Sequence, residues 1–440
     1  MIIRLKYMKR KTVKGSVTLF VSCCLGIFIG LVMTLIYLCI SNANKVRFEG
    51  ITDIAMNSAL GEYCVDLYEE YGLRYIDASY LCMTPSVGNL ENRIEVYLQE
   101  NCPESSLNWM NITADRPDVV RIQTAAAETG NSLRAQIGRI VQEMTGVSFL
   151  EETETNLDLY NLPNILGDWE DLMGLIAGME LPQRENPETK KLEDIPLNNP
   201  ADEDFARAGC DILFLTGVNL DNVSNVRIPT DNLASHRSLT NLEPMASIPH
   251  VGNGAVTAYL FDSMGRYRNY HGHIMGCECE YVICGQESDY ENLKCTADMI
   301  YMLVLADNFA RDMSDANLIA EAYAMAALLE VCAFSPQFIE PVAKSIIYAH
   351  TFRESIKDMK SILEGQSSKS GMTYDSFLGL FLICMDEKTM NLRIMDLMEM
   401  QMRIGYGNPS FSMDWCIERF HVNLTGGPGK YIINRSYGYY

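Results

Sequence analysis

From Val17 to Ile40 the chain reads VTLFVSCCLGIFIGLVMTLIYLCI, an apolar run with no charged residue. As a helix it rises about 36 Å at 1.5 Å per residue, enough to cross a hydrocarbon core of about 30 Å. The pattern then turns amphipathic. Ile51, Ala55, Leu60, Cys64, Leu67 and Tyr71 recur at roughly three- and four-residue steps, with Glu49, Asp53, Glu62, Asp66 and Glu69 between them, and Gly72 follows as a stop. This spacing predicts one helix from about Ser16 to Tyr71, near 84 Å long.

Shorter elements follow. Leu73–Leu81 reads as a strand; Leu90, Ile94, Tyr97 and Leu98 mark a short helix; Val119–Gln123 reads as a strand. Leu133, Ile137, Ile140 and Val141 mark another helix after a Glu128–Asn131 turn. Between 149 and 204 acids dominate, and Pro182, Pro187, Pro196 and Pro200 punctuate a polar stretch read as a linker or crossover loop over 182–204. Cys210–Leu220 is apolar, 229–252 is rich in loop residues, and the alternation in Glu278–Cys284 predicts a strand. Helical periodicity then covers Met299–Ala310, Leu318–Ala333, Phe338–Leu363, Tyr374–Met385 and Met390–Met402, with Ser335-Pro336 opening one helix. The tail, Asp414–Asn423 and Tyr431–Tyr440, alternates like a hairpin joined through Thr425-Gly-Gly-Pro-Gly-Lys430.

The expected fold is therefore α+β, with a mostly helical C-terminal part. The expected organisation is a basic tail (1–16), a membrane span (17–40), a helical stalk (41–72), a small α+β domain (73–181), the linker (182–204) and a mainly helical α+β domain (205–440).

Charge sharpens this picture. The 440 residues hold 35 Lys+Arg against 57 Asp+Glu, a net charge of -22. Arg4, Lys6, Lys9, Arg10, Lys11 and Lys14 lie before the span, with no acid among them, which leaves the rest of the chain at about -28. An acidic body excludes a nucleic-acid partner, which needs a basic footprint. The positive-inside rule places the N-terminus in the cytoplasm and residues 45–440 outside. A cleaved signal peptide competes, because Ser41-Asn42-Ala43 offers a small-x-small site. The apolar run is longer than the 7–15 residues usual in a signal peptide, and the helical pattern continues past Ala43, so an uncleaved anchor is expected. Ser22, Gly26, Gly30 and Thr34 form a small-residue stripe at four-residue spacing, a face on which another membrane helix could pack closely.

The blocks KGSVTLF (Lys14–Phe20) and ALGEYCVDLYEEYGLRYID (Ala59–Asp77) resemble a family of uncharacterised membrane-anchored proteins of Gram-positive, clostridial-type bacteria, known only as a domain of unknown function. The N-terminal part is similar to TadE/TadG-like minor pseudopilins of the tight-adherence pilus. The likeness continues through EYVICGQESDYENL (Glu280–Leu293), IIYAHTFRESIKDMKSILEG (Ile346–Gly365) and MTYDSFLGLFLICMDEKTMNLRIMDLMEMQMR (Met372–Arg403). The resemblance implies membrane anchorage and a place in a pilus or secretion-like assembly, with pilin-like or secretion-platform partners met through the first helix. It implies no enzymatic activity, no cofactor and no catalytic residue. Two departures matter: counting five from Ser16 reaches Phe20 where a type IV pilin carries Glu, and Asp77-Ala78-Ser79-Tyr80-Leu81 lacks the last Ser of a von Willebrand A metal motif.

Few residues suggest chemistry. His271, His273, Cys277, Cys279, Cys284 and Cys295 are zinc-type ligands, but Cys277 and Cys279 share one face of the expected strand and do not make a C-x2-4-C knuckle, so ordinary strand and loop roles are expected. Eleven of the 14 cysteines lie beyond the span; an odd number excludes complete internal pairing, and buried thiols are expected, with a Cys277–Cys295 bridge as one option. None of the six histidines sits in a G-x-S-x-G or H-E-x-x-H setting. His350, one turn before Glu354, reads as a packing residue, and the Met-rich MDLMEMQMR at 395–403 reads as adaptable core. The expected function is that of a non-enzymatic pseudopilin-like surface protein. The alternative is a free-standing membrane-anchored enzyme or ligand-binding module acting at the cell wall.

Overall fold

A computed structural model describes residues 15–81, 84–102, 112–145, 183–185, 192–194, 211–333 and 339–439. The Ser335-Pro336 helix start and most of the 182–204 linker lie outside these residues. The architecture is α+β: a long apolar N-terminal helix, a small antiparallel sheet, a run of helices and a C-terminal hairpin. In chain order the described elements are α1 (Gly15–Leu60), α2 (Val65–Tyr71), β1 (Ile76–Asp77), α3 (Val87–Asn101), β2 (Asp118–Thr124), α4 (Ala127–Thr145), β3 (Gln183–Glu185) and β4 (Leu192–Asp194). They continue with α5 (Ile212–Thr216), α6 (Asn253–Ser263), α7 (Glu278–Cys284), α8 (Asp289–Ser314), α9 (Ala316–Ala333) and α10 (Ile339–Leu363). The last are α11 (Tyr374–Cys384), α12 (Glu387–Met400), β5 (Cys416–Gly426) and β6 (Tyr431–Gly438). Strand β5 is shared by β1, β2 and β6, while β3 and β4 pair with each other.

The chain divides into two compact units. The first comprises residues 1–62, 87–121 and 419–440. Its helix α1 changes character along its length. Val17–Leu38 exposes its large apolar side chains, Phe20 at 68% and Ile27 at 72%, whereas Phe48, Ile51, Thr52, Ala55, Met56 and Ala59 are buried at three- and four-residue spacing. The buried stripe meets α3, whose Leu90, Ile94 and Leu98 repeat every four residues, and β6. Phe420, Val422 and Leu424 alternate inward along β5. Gly426 carries no side chain because a Cβ there would lie 2.5 Å from the Phe48 ring and 2.6 Å from the Thr113 carbonyl.

Three tyrosines of the C-terminal segment fix the strand to the helix. Tyr431 donates to the Ser41 carbonyl (2.8 Å), Tyr437 to Asp53 (2.6 Å) and Tyr439 to the Leu60 carbonyl (2.5 Å). At the other edge Arg93 pairs with Glu62, and the Tyr97 hydroxyl donates to it at 2.6 Å. Burial pushes the Glu62 carboxyl up, but Arg93 and Tyr97 outweigh it and hold the group below its ordinary range.

The second unit comprises 63–86 and 122–418. Around its core, α8 packs on α10 and α7, α10 on α9, α6 on α4 and α11, and α12 on α4 and α7. Glu128, Thr129 and Gly130 have φ of 50°, 58° and 92°, which makes the expected turn before the helix. At Gly130 only glycine fits, since a Cβ would lie 2.7 Å from both Asn391 Cβ and Met395 Cε. Met395, Met398, Met400 and Met402 are buried, as the Met-rich segment suggests.

Three expectations are corrected. The stalk is not one continuous helix to Tyr71: α1 stops at Leu60, because the Cys64 amide bonds to the Tyr75 carbonyl (2.8 Å) instead of to the helix carbonyl four residues back, and α2 starts afresh. The expected strand at Leu73–Leu81 contracts to Ile76–Asp77, paired with Ile417 and Cys416. Glu278–Cys284 is helix α7, not a strand: Glu278 and Glu280, the polar members of the alternation, are themselves buried.

Candidate functional site

The small-residue stripe lies on the bare part of α1. Neither Gly26 nor Gly30 would bring a Cβ within 4 Å of another group, and Thr34 returns its hydroxyl to the Gly30 carbonyl at 2.8 Å. Ser22, Gly26, Gly30 and Thr34 therefore present an open backbone ridge on a helix whose most apolar window has mean hydropathy 2.6 and 0% burial. This helix is long and apolar enough to cross a membrane, as a single-pass anchor requires.

In the second unit one cluster of ionisable groups is built around His273. Its Nδ1 lies 2.7 Å from Glu278 Oε2 and its Nε2 3.0 Å from Glu70 Oε1, and its side chain is 5% exposed. Glu278, the first residue of α7, also accepts from the Gly265 amide (2.6 Å), and Glu70, in α2, accepts from the Tyr406 hydroxyl (2.6 Å). Burial pulls His273 toward the neutral form, but the two carboxylates outweigh it and raise its pKa above the ordinary value. Burial likewise pushes Glu278 up, only partly offset by His273. The result is an imidazole held between a buried carboxyl on one ring nitrogen and a second carboxyl on the other. Tyr71, 2% exposed, sets its ring 5.5 Å from that of His273 at a tilt of 52°, and its hydroxyl has no hydrogen-bond partner among the described residues. Ile274, the next residue, lines a cleft of about 240 Å³ with Val226, Ile228, Pro229, Ile404 and Asp289.

The neighbouring zinc-type ligands do not converge with it. The exposed His271 ring stands 6.0 Å from that of His273. Cys277 and Cys279 are buried, and burial first, then Glu280, pushes both thiols up, away from the thiolate a metal needs. Among the described residues no group of three or more His, Cys, Asp or Glu is arranged to hold a metal ion, and Cys277, Cys279, Cys284 and Cys295 are free thiols. His350 bonds to Asp312 of α8 at 3.1 Å, not to Glu354, which pairs with Lys357 and Lys369.

Two further buried arrays support the unit. Glu280 accepts from the Tyr267 amide (2.9 Å) and the Tyr374 hydroxyl (2.8 Å), and burial first of all holds its carboxyl up at about 7. Arg237 forms two 2.7 Å bonds to Glu399 and one to Asp414, and Arg403 adds a 2.9 Å pair to Glu399. The pattern of hydrophobic positions conceals these groups. The one available signal was ECEYVIC itself, in which two acids interrupt an otherwise apolar stretch.

Residues 193–367 and 365–427 match a family described as Family of unknown function (DUF5702), and together they cover more than half of the chain. No curated protein and no solved structure matches the chain.

Proposed function

We propose, from the premise that the chain belongs to the DUF5702 family, that it is a single-pass, non-enzymatic surface protein and a pseudopilin-like or accessory component of a tight-adherence-type pilus or related secretion assembly. One observation carries the reading: α1 is a single helix whose first part is bare and apolar and whose second part lies on an antiparallel sheet and is tied to it by Tyr431, Tyr437 and Tyr439. A span that continues without a break into a folded head moves as one piece with that head. In this reading the basic residues before Val17 stay in the cytoplasm and the acidic body is exported. The seam for neighbouring pilin-like helices is Ser22, Gly26, Gly30 and Thr34, where small side chains let backbones approach in lipid.

The test is to exchange residues 1–44 for an unrelated single-span anchor. Loss of assembly with the head still exported supports the reading; normal assembly with the foreign anchor rejects it.

A second reading, a free-standing membrane-anchored enzyme or ligand-binding module at the cell wall, is favoured by the Glu70–His273–Glu278 array beside an apolar cleft. In that case the anchor is interchangeable and His273→Gln removes function. Under the first reading His273→Gln lowers stability alone.

A further inference from the structure

Helix α7 ends at Gly285, with φ of 70°, and α8 begins four residues later at Asp289, so the chain doubles back and the two helices pack together. Cys284 is the last residue of α7 and Cys295 lies in the second turn of α8. The Cys284 sulfur lies 3.3 Å from the hydroxyl of Thr296, the residue that follows Cys295 in α8, and Cys284 and Cys295 influence each other's ionisation. Both thiols are free and half-buried, hence within reach of a small reagent, whereas Cys277 and Cys279 are fully buried. Arg393 crosses the same turn, donating to the Val282 carbonyl at 2.8 Å, and its guanidinium would lie 2.8 Å from a Cβ at Gly285. A cationic group, a hydroxyl and two half-buried thiols on packed helices thus share one partly open corner.

We propose that Cys284 and Cys295 form a thiol–disulfide site, closing into a bond that ties α7 to α8 when a small-molecule disulfide oxidises them. Cys284 is the main influence holding the Cys295 thiol below its ordinary range, against burial, while Cys295 and burial push the Cys284 thiol up. Cys295 is therefore the attacking group. Its thiolate displaces one half of the small disulfide as a thiolate and forms a mixed disulfide. Cys284 then gives up its proton, attacks the Cys295 sulfur and releases the second half. Two protein thiols lose two electrons and two protons, and one small disulfide becomes two thiols. The partner is Cys284 and not Cys277, because Cys277 precedes the opposite end of α7, about 10 Å away along the helix axis.

The experiment treats the full chain in detergent with oxidised glutathione, alkylates the remaining thiols and digests with trypsin without reduction. Cleavage after Lys294 separates the two cysteines. The expected product is a linked pair of peptides, 269–294 and 295–311, lost in both Cys284→Ser and Cys295→Ser, together with an oxidation-dependent rise in Tm of the unmodified chain that neither variant shows. Alkylation of both thiols after oxidation, glutathione retained on both, or a link that survives Cys284→Ser would overturn the proposal. The last outcome would move the partner to Cys277 or Cys279.

Discussion

The Tyr431 hydroxyl donates to the Ser41 carbonyl at 2.8 Å while lying 3.1 Å from the Ser41 hydroxyl, two residues separated by 390 positions in the chain. The same ring would touch a Cβ at Gly427 or Gly429 at 2.9 and 2.7 Å, so the glycine turn is shaped around the tyrosine that reaches the helix. Tyr431→Phe keeps the ring and removes the polar contact. The expected cost is about 1 kcal/mol, read as a lower urea midpoint of the detergent-solubilised chain. An unchanged midpoint would mean that the contact adds nothing to stability.

Arg237 is the only described cation bonded to both Glu399 and Asp414, of which the side chains are 0% and 4% exposed. Arg237→Ala leaves two buried carboxylates short of a partner and is expected to cost about 3–5 kcal/mol. Adding Asp414→Asn to that variant should recover part of the loss in the same denaturation assay, and a further loss would contradict the account.

Stability should fall as pH rises from mildly acid to neutral. Glu280 is held up at about 7 by burial, so the fold binds its proton more tightly than the unfolded chain does. Its contribution is complete below the unfolded carboxyl pKa of about 4.5 and is lost as pH rises through about 7. His273 is also raised and adds a loss of the same sign as pH passes its folded value. Glu280→Gln should gain on the parent chain by about 3 kcal/mol between roughly pH 4 and pH 8, measured from unfolding curves across that range. Parallel profiles would show that Glu280 titrates normally.

Gly130 and Gly371 separate two kinds of glycine requirement. Both have positive φ, 92° and 87°, but only Gly130 is crowded by Asn391 and Met395, while a Cβ at Gly371 would meet nothing within 4 Å. Gly371→Ala is expected to cost about 1 kcal/mol, and Gly130→Ala about 2–3 kcal/mol, by thermal or urea denaturation. Equal losses would remove the packing argument.

Deleting residues 17–40 should move the protein from the membrane pellet to the supernatant after an alkaline carbonate wash. Retention in the pellet would mean that another surface holds it there.

Where periodicity was strong, the sequence was a good guide. The α+β class, the helices around Leu90–Leu98 and Leu133–Val141, the turn at Glu128–Asn131 and the C-terminal hairpin all follow from spacing and turn chemistry. The misreadings share one cause, long-range partners. Period-two alternation in Glu278–Cys284 looked like a half-exposed strand because nothing nearby shows that His273 and Gly265 satisfy Glu278, or that Tyr267 and Tyr374 satisfy Glu280. The helix break after Leu60 depends on a carbonyl at Tyr75 that local propensity does not register. Glu70 and His273 lie far apart in sequence, so no spacing rule could have joined them.

The tyrosine attachment of β6 to α1 also sets an order of events. The unit it completes draws on residues 1–62, 87–121 and 419–440, with all of the other unit's residues between 62 and 419. During synthesis α1 and α3 are made early, but strand β6, which also lies against α1, follows only after the whole of the other unit. The stripe of Phe48, Ile51, Ala55 and Met56 can meet α3 early but gains its tie to β6 only when the hairpin is made, so a chain halted before Cys416 would hold an apolar helix on an unfinished sheet.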